Sequence, residues 1–233
     1  KKSFIVKISE YFNRKLIAYA ATDRIGCSEA ACLSFFGKVK SKVIYNAVDL
    51  NKYKISDCIN HDKLTFIHVG RYTYQKNQEM VIRVFQRINQ SIPRSQLLLV
   101  GFGENKEKLE KLICELHLES TIQMIPGNQV DVSKMYAISD YMIFPSNYEG
   151  FGIVLIEAQA MGIPCFVSEA IQKEADVGLL TYIRLDAGVE VWADTILKYI
   201  KEERKIDKEN LEKQLYQYSN EAIGRQYASI YEG

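Results

Sequence analysis

The stretch Leu64-Thr65-Phe66-Ile67-His68-Val69-Gly70-Arg71, read on through Gln96-Leu97-Leu98-Leu99-Val100-Gly101, decides the fold. Each half is a short, nearly continuous apolar run that ends on glycine, and an amphipathic run over Asn77–Asn89 separates them. Strands that are apolar throughout suit a parallel sheet covered on both faces, whereas a half-solvated antiparallel sheet would alternate. The same rhythm continues outward. Helices are expected at Asn105–His117, Val132–Ser139, Gly152–Met161 and Val189–Glu203, and strands at Thr121–Ile125, Tyr141–Phe144 and Ile163–Val167. Strand–helix alternation over this length predicts an α/β class, a Rossmann-like doubly wound parallel sheet.

Upstream, the first 45 or so residues offer a helix, a strand around Arg24–Cys27, a helix over Ser28–Phe36 and a strand at Lys42–Tyr45. They are too few to enclose a core alone and read as a short α/β remnant of a preceding domain. The polar run Asn46–Asp62 reads as a linker. Asp207–Tyr231 reads as one charged amphipathic helix. The expected division is 1–47 for the remnant, 48–62 for the linker, 63–206 for the sheet domain and 207–233 for the last helix.

The chain has 233 residues, 47% of them hydrophobic, with 30 Lys and Arg against 29 Asp and Glu. A net charge of +1 argues against a dedicated nucleic-acid binder. Cys27, Cys32, Cys58, Cys114 and Cys165 are odd in number and contain no Cys-x-x-Cys pair, so neither a zinc site nor a disulfide framework is expected. Reduced thiols point to the cytoplasm. No apolar run is long enough to span a membrane. His61, His68 and His117 lack metal spacing, and no Asp-x-Asp occurs, so no metal is expected.

Ligands of doubly wound sheets sit beyond the carboxyl ends of the strands, so the loops there should carry the chemistry. After the first strand come Gly70, Arg71 and Lys76. Two fixed cations above strand ends suit a diphosphate, although solvated surface cations are the plain alternative. Gly101-Phe102-Gly103 opens a helix and would admit a ligand at its N-terminus, or simply turn tightly. Glu149 ends a loop beside Gly150 and Gly152. Glu157 sits in the otherwise apolar Ile153-Val154-Leu155-Ile156-Glu157-Ala158, where a carboxylate is costly unless hydrogen-bonded or paired. Ribose or sugar hydroxyls would satisfy it; a buried salt bridge is the competing explanation, as helix capping is for Glu149. Eight residues of helix rise roughly 12 Å, so the two carboxylates should not share one proton as an acid–base dyad but contact opposite ends of an extended ligand. Asp131 should cap the next helix. Trp192 and the tyrosines are read as packing.

These residues resemble a known family. Glu149-Gly150-Phe151-Gly152-Ile153-Val154-Leu155-Ile156-Glu157 is similar to the E-x7-E signature of glycosyltransferase family 4, and Gly70-Arg71 with Lys76-Asn77 to its G-R-x4-K motif. Leu99–Gly103 resembles its strand turn, Tyr136–Asp140 the segment preceding its last core strand, and Ala21–Ala31 with Val43–Asp49 its domain junction, with Ala47 where the junction usually has glycine. Glu157–Ala160, Gly162–Cys165 and Ile171–Glu174 resemble the capsular and exopolysaccharide branch. The resemblance implies a GT-B fold and a retaining, metal-independent transferase that uses a nucleotide-sugar, commonly a UDP-sugar, with no cofactor.

By motif, Arg71 and Lys76 would hold the diphosphate, together with Gly70, Asn77, Gly101 and Gly103. Amides near Gly150, Phe151, Gly152 and Ile153 would face the distal phosphate. Glu157 would bond the ribose and Glu149 the sugar, while Pro126, Gly127, Asn128 and Val130 would line the base. The resemblance names Glu149, Arg71 and Lys76 as catalytic. It implies a glycan or lipid-linked glycan acceptor bound through an N-terminal domain of which this chain carries little, and a cytoplasmic location with contact at the inner membrane face. Such a fragment is expected to bind donor and to transfer poorly alone, its last helix unsupported. Lys38, Lys40 and Lys42 form a basic cluster that a solvated surface explains as well. A nucleotide-sugar epimerase or hydrolase of the same architecture, and a non-catalytic nucleotide-binding module, are the alternatives. A dinucleotide dehydrogenase lacks its glycine fingerprint here.

Overall fold

A computed structural model describes residues 9, 12–13, 15–17, 19–54, 62–202 and 206–232. His61, Cys58, Lys1–Ile8, part of the expected linker and the expected end of one helix at Glu203 lie outside the described residues. The small N-terminal unit pairs strand β1 (Ile25–Gly26) with β2 (Lys42–Val43) in parallel, joined by helix α1 (Glu29–Phe36).

The main body runs β3 (Leu64–Val69), α2 (Gln78–Ser91), β4 (Ser95–Gly101), α3 (Lys106–Glu115), β5 (Ile122–Pro126), α4 (Val132–Ala137), β6 (Tyr141–Phe144), α5 (Ile153–Ala160), β7 (Cys165–Ser168), β8 (Leu180–Ile183) and α6 (Gly188–Lys201), followed by α7 (Lys208–Leu215) and α8 (Asn220–Tyr231). All six main strands pair in parallel in the order β5-β4-β3-β6-β7-β8. The chain order therefore reverses between β3 and β6, which opens a crevice above their carboxyl ends.

Two apolar layers close the sheet. Val81, Phe85, Leu109 and Trp192 from α2, α3 and α6 cover one face. Tyr136, Leu155, Ile156, Leu211 and Leu215 from α4, α5 and α7 cover the other. That double burial is why the strands read as unbroken apolar runs. Trp192 is fully buried and its indole N–H donates to the Arg184 carbonyl at 2.9 Å, so it is a packing residue. Cys27, Cys32, Cys114 and Cys165 are free thiols. Among the described residues no helix is long and apolar enough to cross a membrane.

Three expectations are corrected. The Leu180–Ile183 strand is absent from the sequence reading because it is a short edge strand, mostly half-buried, without a flanking apolar run. The C-terminal segment is two helices rather than one. It breaks at Tyr216–Tyr218, where the Tyr218 carbonyl accepts from the Val48 N–H at 2.8 Å and Ser219 caps α8 through the Ala222 N–H. The break itself is anchored, since buried Tyr218 packs on Tyr45 and Phe151, whereas in the last helix Ile223 is the buried residue. Finally, α5 starts at Ile153, with Gly152 at φ 84° as its left-handed cap, so Glu149–Gly152 precede the helix. The helical-rise estimate across Glu149–Glu157 therefore does not apply.

Candidate functional site at the sheet's switch point

The two loops that border the crevice are stitched together. After β3, the chain crosses Arg71 and a tight turn at Tyr74–Lys76 before α2; after β6, it runs through Pro145 to Gly152. The Asn147 amide donates to the Tyr74 carbonyl at 2.6 Å, and its N–H to the Gln75 carbonyl at 2.8 Å. Asn77, left-handed at φ 52°, donates from its side chain to the Pro145 carbonyl at 3.2 Å. A short polar residue tolerates that backbone conformation better than a branched one would.

At the centre of this junction Lys76 Nζ pairs with Glu149 Oε2. Both side chains are nearly covered, at 14% and 11% exposure. The ammonium also lies 4.6 Å from the centroid of the Phe144 ring, and Gln75 Nε2 reaches Glu149 Oε1 at 3.4 Å. Gly70 leaves room for the lysine stem, since a Cβ there would stand 3.2 Å from Lys76 Cγ. Glu149 accepts weakly from the Gly150 N–H at 3.3 Å. Its principal partner is thus a cation 73 residues away rather than a helix end.

Arg71 is exposed, and its guanidinium forms no hydrogen bond or ion pair among the described residues. Its backbone is anchored instead. Gln78 Nε2 donates to the Arg71 carbonyl at 2.8 Å and lies 3.3 Å from His68 Nε2, while His68 Nδ1 lies 2.9 Å from the Ile143 carbonyl. Nδ1 is therefore the protonated nitrogen and Nε2 the acceptor for Gln78. Burial pushes His68 down to about 4, so the ring is neutral.

Gly101 and Gly103 make a close approach, but to the chain itself. A Cβ on Gly101 would stand 2.0 Å from the Gly70 carbonyl oxygen, and one on Gly103 would stand 2.6 Å from the Tyr72 oxygen. These glycines seat the Arg71 loop against the end of β4. Gly127 continues the contact, donating to the Gly101 carbonyl at 3.3 Å.

The other end of the site centres on Glu157. Its Oε2 accepts from the Tyr136 hydroxyl at 3.2 Å, and the Tyr53 hydroxyl also hydrogen-bonds it. Burial raises the carboxyl above its ordinary range, while the two hydroxyls and the charge of Lys52 pull it back. No cation reaches ion-pairing distance among the described residues, which disfavours the salt-bridge explanation. Asp131 caps α4 by accepting from the Ser133 N–H at 3.2 Å, and it pairs with Lys52 at 2.9 Å. The Pro126–Val130 turn, with Asn128 exposed and Val130 half-buried, thus leads directly into the helix that carries Tyr136. Gly150, Phe151, Gly152 and Ile153 bridge the two ends. Phe151 is buried, and Gly150 is exposed with open space where a side chain would be.

Sequence reasoning missed the Lys76–Glu149 pair and both tyrosines at Glu157. The pairing depends on which loops the topology juxtaposes. Tyr136 lies within a quoted segment, but its direction depends on how α4 lies against α5.

The sequence pattern of the glycosyl transferases group 1 matches residues 51–221. The chain belongs to that family. It is 29% identical over 202 residues to the glycosyltransferase EpsF of Bacillus subtilis (strain 168), covering 79% of this chain and 52% of that protein. It is 30% identical over 194 residues to N-acetyl-alpha-D-glucosaminyl L-malate synthase of Bacillus anthracis, covering 81% and 50% respectively. The chain thus spans about half the length of the curated relatives it matches. Its fold matches sucrose-phosphate synthase from Thermosynechococcus elongatus with a TM-score of 0.81 at 22% identity, over 97% of this chain and 61% of that one. It also matches Anabaena HepE, solved with UDP and glucose, with a TM-score of 0.75 at 21% identity, over 96% and 66%. The Rossmann-like α/β class of group 1 GT-B proteins is therefore the fold of this chain.

Proposed function

We propose that this group 1 chain is the donor-binding part of a retaining, metal-independent glycosyltransferase that takes a UDP-sugar and serves capsule or exopolysaccharide assembly at the cytoplasmic membrane face. The observation that carries the reading is the grouping at the switch-point crevice. Among the described residues, an Arg71 without an ion pair and a covered Lys76–Glu149 pair stand at one end, and a carboxylate held by hydroxyls stands at the other. An extended ligand with a dianionic middle and a diol at one end has complementary chemistry.

In this reading Arg71 and Lys76 take the diphosphate, Lys76 sharing its ammonium between phosphate and Glu149. The N–H groups around Gly152 and the start of α5, unpaired among the described residues, add fixed donors, since a helix N-terminus favours anions. Glu149 keeps an oxygen for a sugar hydroxyl, and Glu157 takes the ribose diol in place of one or both tyrosine hydroxyls. The 126–130 turn supports the base. In transfer, the acceptor oxygen bonds to the anomeric carbon as the bond to the phosphate oxygen breaks on the same face, and the departing phosphate takes the acceptor's proton. The protein's main task is to stabilise charge on the leaving diphosphate, a role suited to preorganised cations and amides.

Calorimetric titration of the full chain in EDTA with UDP, UDP-glucose, UDP-galactose and their N-acetyl forms tests this. Binding without metal that is weakened about tenfold in Arg71→Ala and in Glu157→Ala is expected. Binding that requires a divalent ion, or whose affinity is unchanged by both substitutions, would overturn the reading.

A further inference from the structure

The Gly150–Gly152 loop is gripped from a second side, by the small N-terminal unit. Ser28 is fully buried, and its hydroxyl donates to the Gly150 carbonyl at 2.7 Å across 122 positions of sequence. The same oxygen accepts from the Ala31 N–H at 3.0 Å and so caps α1. One hydroxyl has a single proton to give and lone pairs to accept with, and here both capacities are used. Gly26 permits this seat: a Cβ there would stand 2.5 Å from Cys32 Sγ, so a larger residue would push α1, and Ser28 with it, off β1. Next in the loop, the Phe151 ring stacks on Tyr45 of the same unit at 5.1 Å and 19°.

The peptide bond is planar and trans, so fixing the Gly150 carbonyl fixes the Phe151 N–H on the opposite side of the same plane. That N–H and the Gly152 N–H make no hydrogen bond among the described residues. With the carbonyl turned toward Ser28, the Phe151 N–H is aimed away from the N-terminal unit. Glu149, one residue earlier, is held from the sheet side by Lys76 and Gln75.

We infer that Ser28 is a positioning residue for the donor loop: by holding the Gly150 carbonyl it orients the Phe151 amide toward the diphosphate. The inference rests on the donor-site reading above.

The test combines UDP titration with hydrogen exchange on the full chain, comparing wild type with Ser28→Ala, Ser28→Thr and Ala31→Gly. Ala31→Gly weakens α1 by helix propensity while leaving the serine hydroxyl in place. Ser28→Ala is expected to lower UDP affinity about three- to tenfold, the scale of one hydrogen bond, and to speed exchange in residues 149–153. Ser28→Thr, which keeps the hydroxyl, should restore both. Ala31→Gly should speed exchange in 29–36 and leave UDP affinity unchanged. Wild-type affinity and loop exchange in Ser28→Ala would overturn the inference, as would an equal loss of affinity in Ala31→Gly. Should wild type bind no UDP, the donor reading is what fails, and loop exchange in Ser28→Ala alone decides the role of Ser28.

Discussion

Glu149 and Glu157 stand eight positions apart and are kept in place by opposite means. Glu149 is neutralised by a lysine, in a nearly covered ion pair. Among the described residues Glu157 is hydrogen-bonded by neutral partners, the hydroxyls of Tyr136 and Tyr53, and its burial works against its charge. In the proposed donor site, the difference sets what each end would offer a ligand. At the first end an anion must share a cation that is already engaged, while Arg71 beside it is free. At the second end a diol can replace tyrosine hydroxyls bond for bond, leaving the carboxylate as well satisfied as before.

The largest effect should come from unbalancing the first end. Lys76→Ala leaves a nearly buried Glu149 without its cation and should cost about 3 kcal/mol of stability in urea unfolding. Adding Glu149→Gln should recover most of that loss without restoring nucleotide binding. Little loss in the single variant would mean that the pair is solvated, and the contrast between the two carboxylates would collapse.

A similar effect should follow from pH, again at the first end, because the Arg71 loop rests on neutral His68. The folded state holds this ring down at about 4, whereas an unfolded histidine titrates near 6.5. Below about 6.5 the unfolded chain therefore takes up the extra proton. Stability should fall by about 3 kcal/mol as pH drops from about 6.5 to about 4, where the folded ring protonates too. His68→Gln should flatten that part of the stability–pH curve.

At the second end, Glu157→Gln should weaken UDP binding about tenfold. It should not lower the melting temperature at neutral pH, because the raised carboxyl shows that its charged form is the costly one in the unliganded fold. A clear loss of stability would mean that the tyrosines hold the charge better than burial penalises it. Smallest in stability is Arg71→Ala, expected within about 0.5 kcal/mol of wild type because the side chain is exposed and makes no hydrogen bond or ion pair among the described residues, yet with diphosphate affinity down about tenfold.

The same contrast marks what the sequence could tell. Strands β3, β4 and β6 were legible because burial on both faces writes itself as uninterrupted apolar residues. Glu157 was legible as a carboxylate inside such a run. Its tyrosine partners were not, because they come from α4 and from the linker, and their approach depends on how those segments lie against α5. The Lys76–Glu149 pair was hidden for a related reason: each residue was assigned to a ligand, and only the juxtaposition of β3 and β6 shows that they neutralise each other. Gly101 and Gly103 were recognised as sites of close approach, but what approaches is the backbone of residues 70–72. Leu180–Ile183 was missed because an edge strand has no second covered face to enforce an apolar run.

In the proposed site, these two unlike ends grip different parts of one ligand. Competition calorimetry with uridine, pyrophosphate and UDP on wild type, Arg71→Ala and Glu157→Gln tests it most directly. Arg71→Ala should weaken pyrophosphate and UDP but leave uridine unchanged. Glu157→Gln should weaken uridine and UDP but leave pyrophosphate unchanged. Pyrophosphate affinity that falls in Glu157→Gln, or uridine affinity that falls in Arg71→Ala, would contradict the division of the site into a phosphate end and a ribose end.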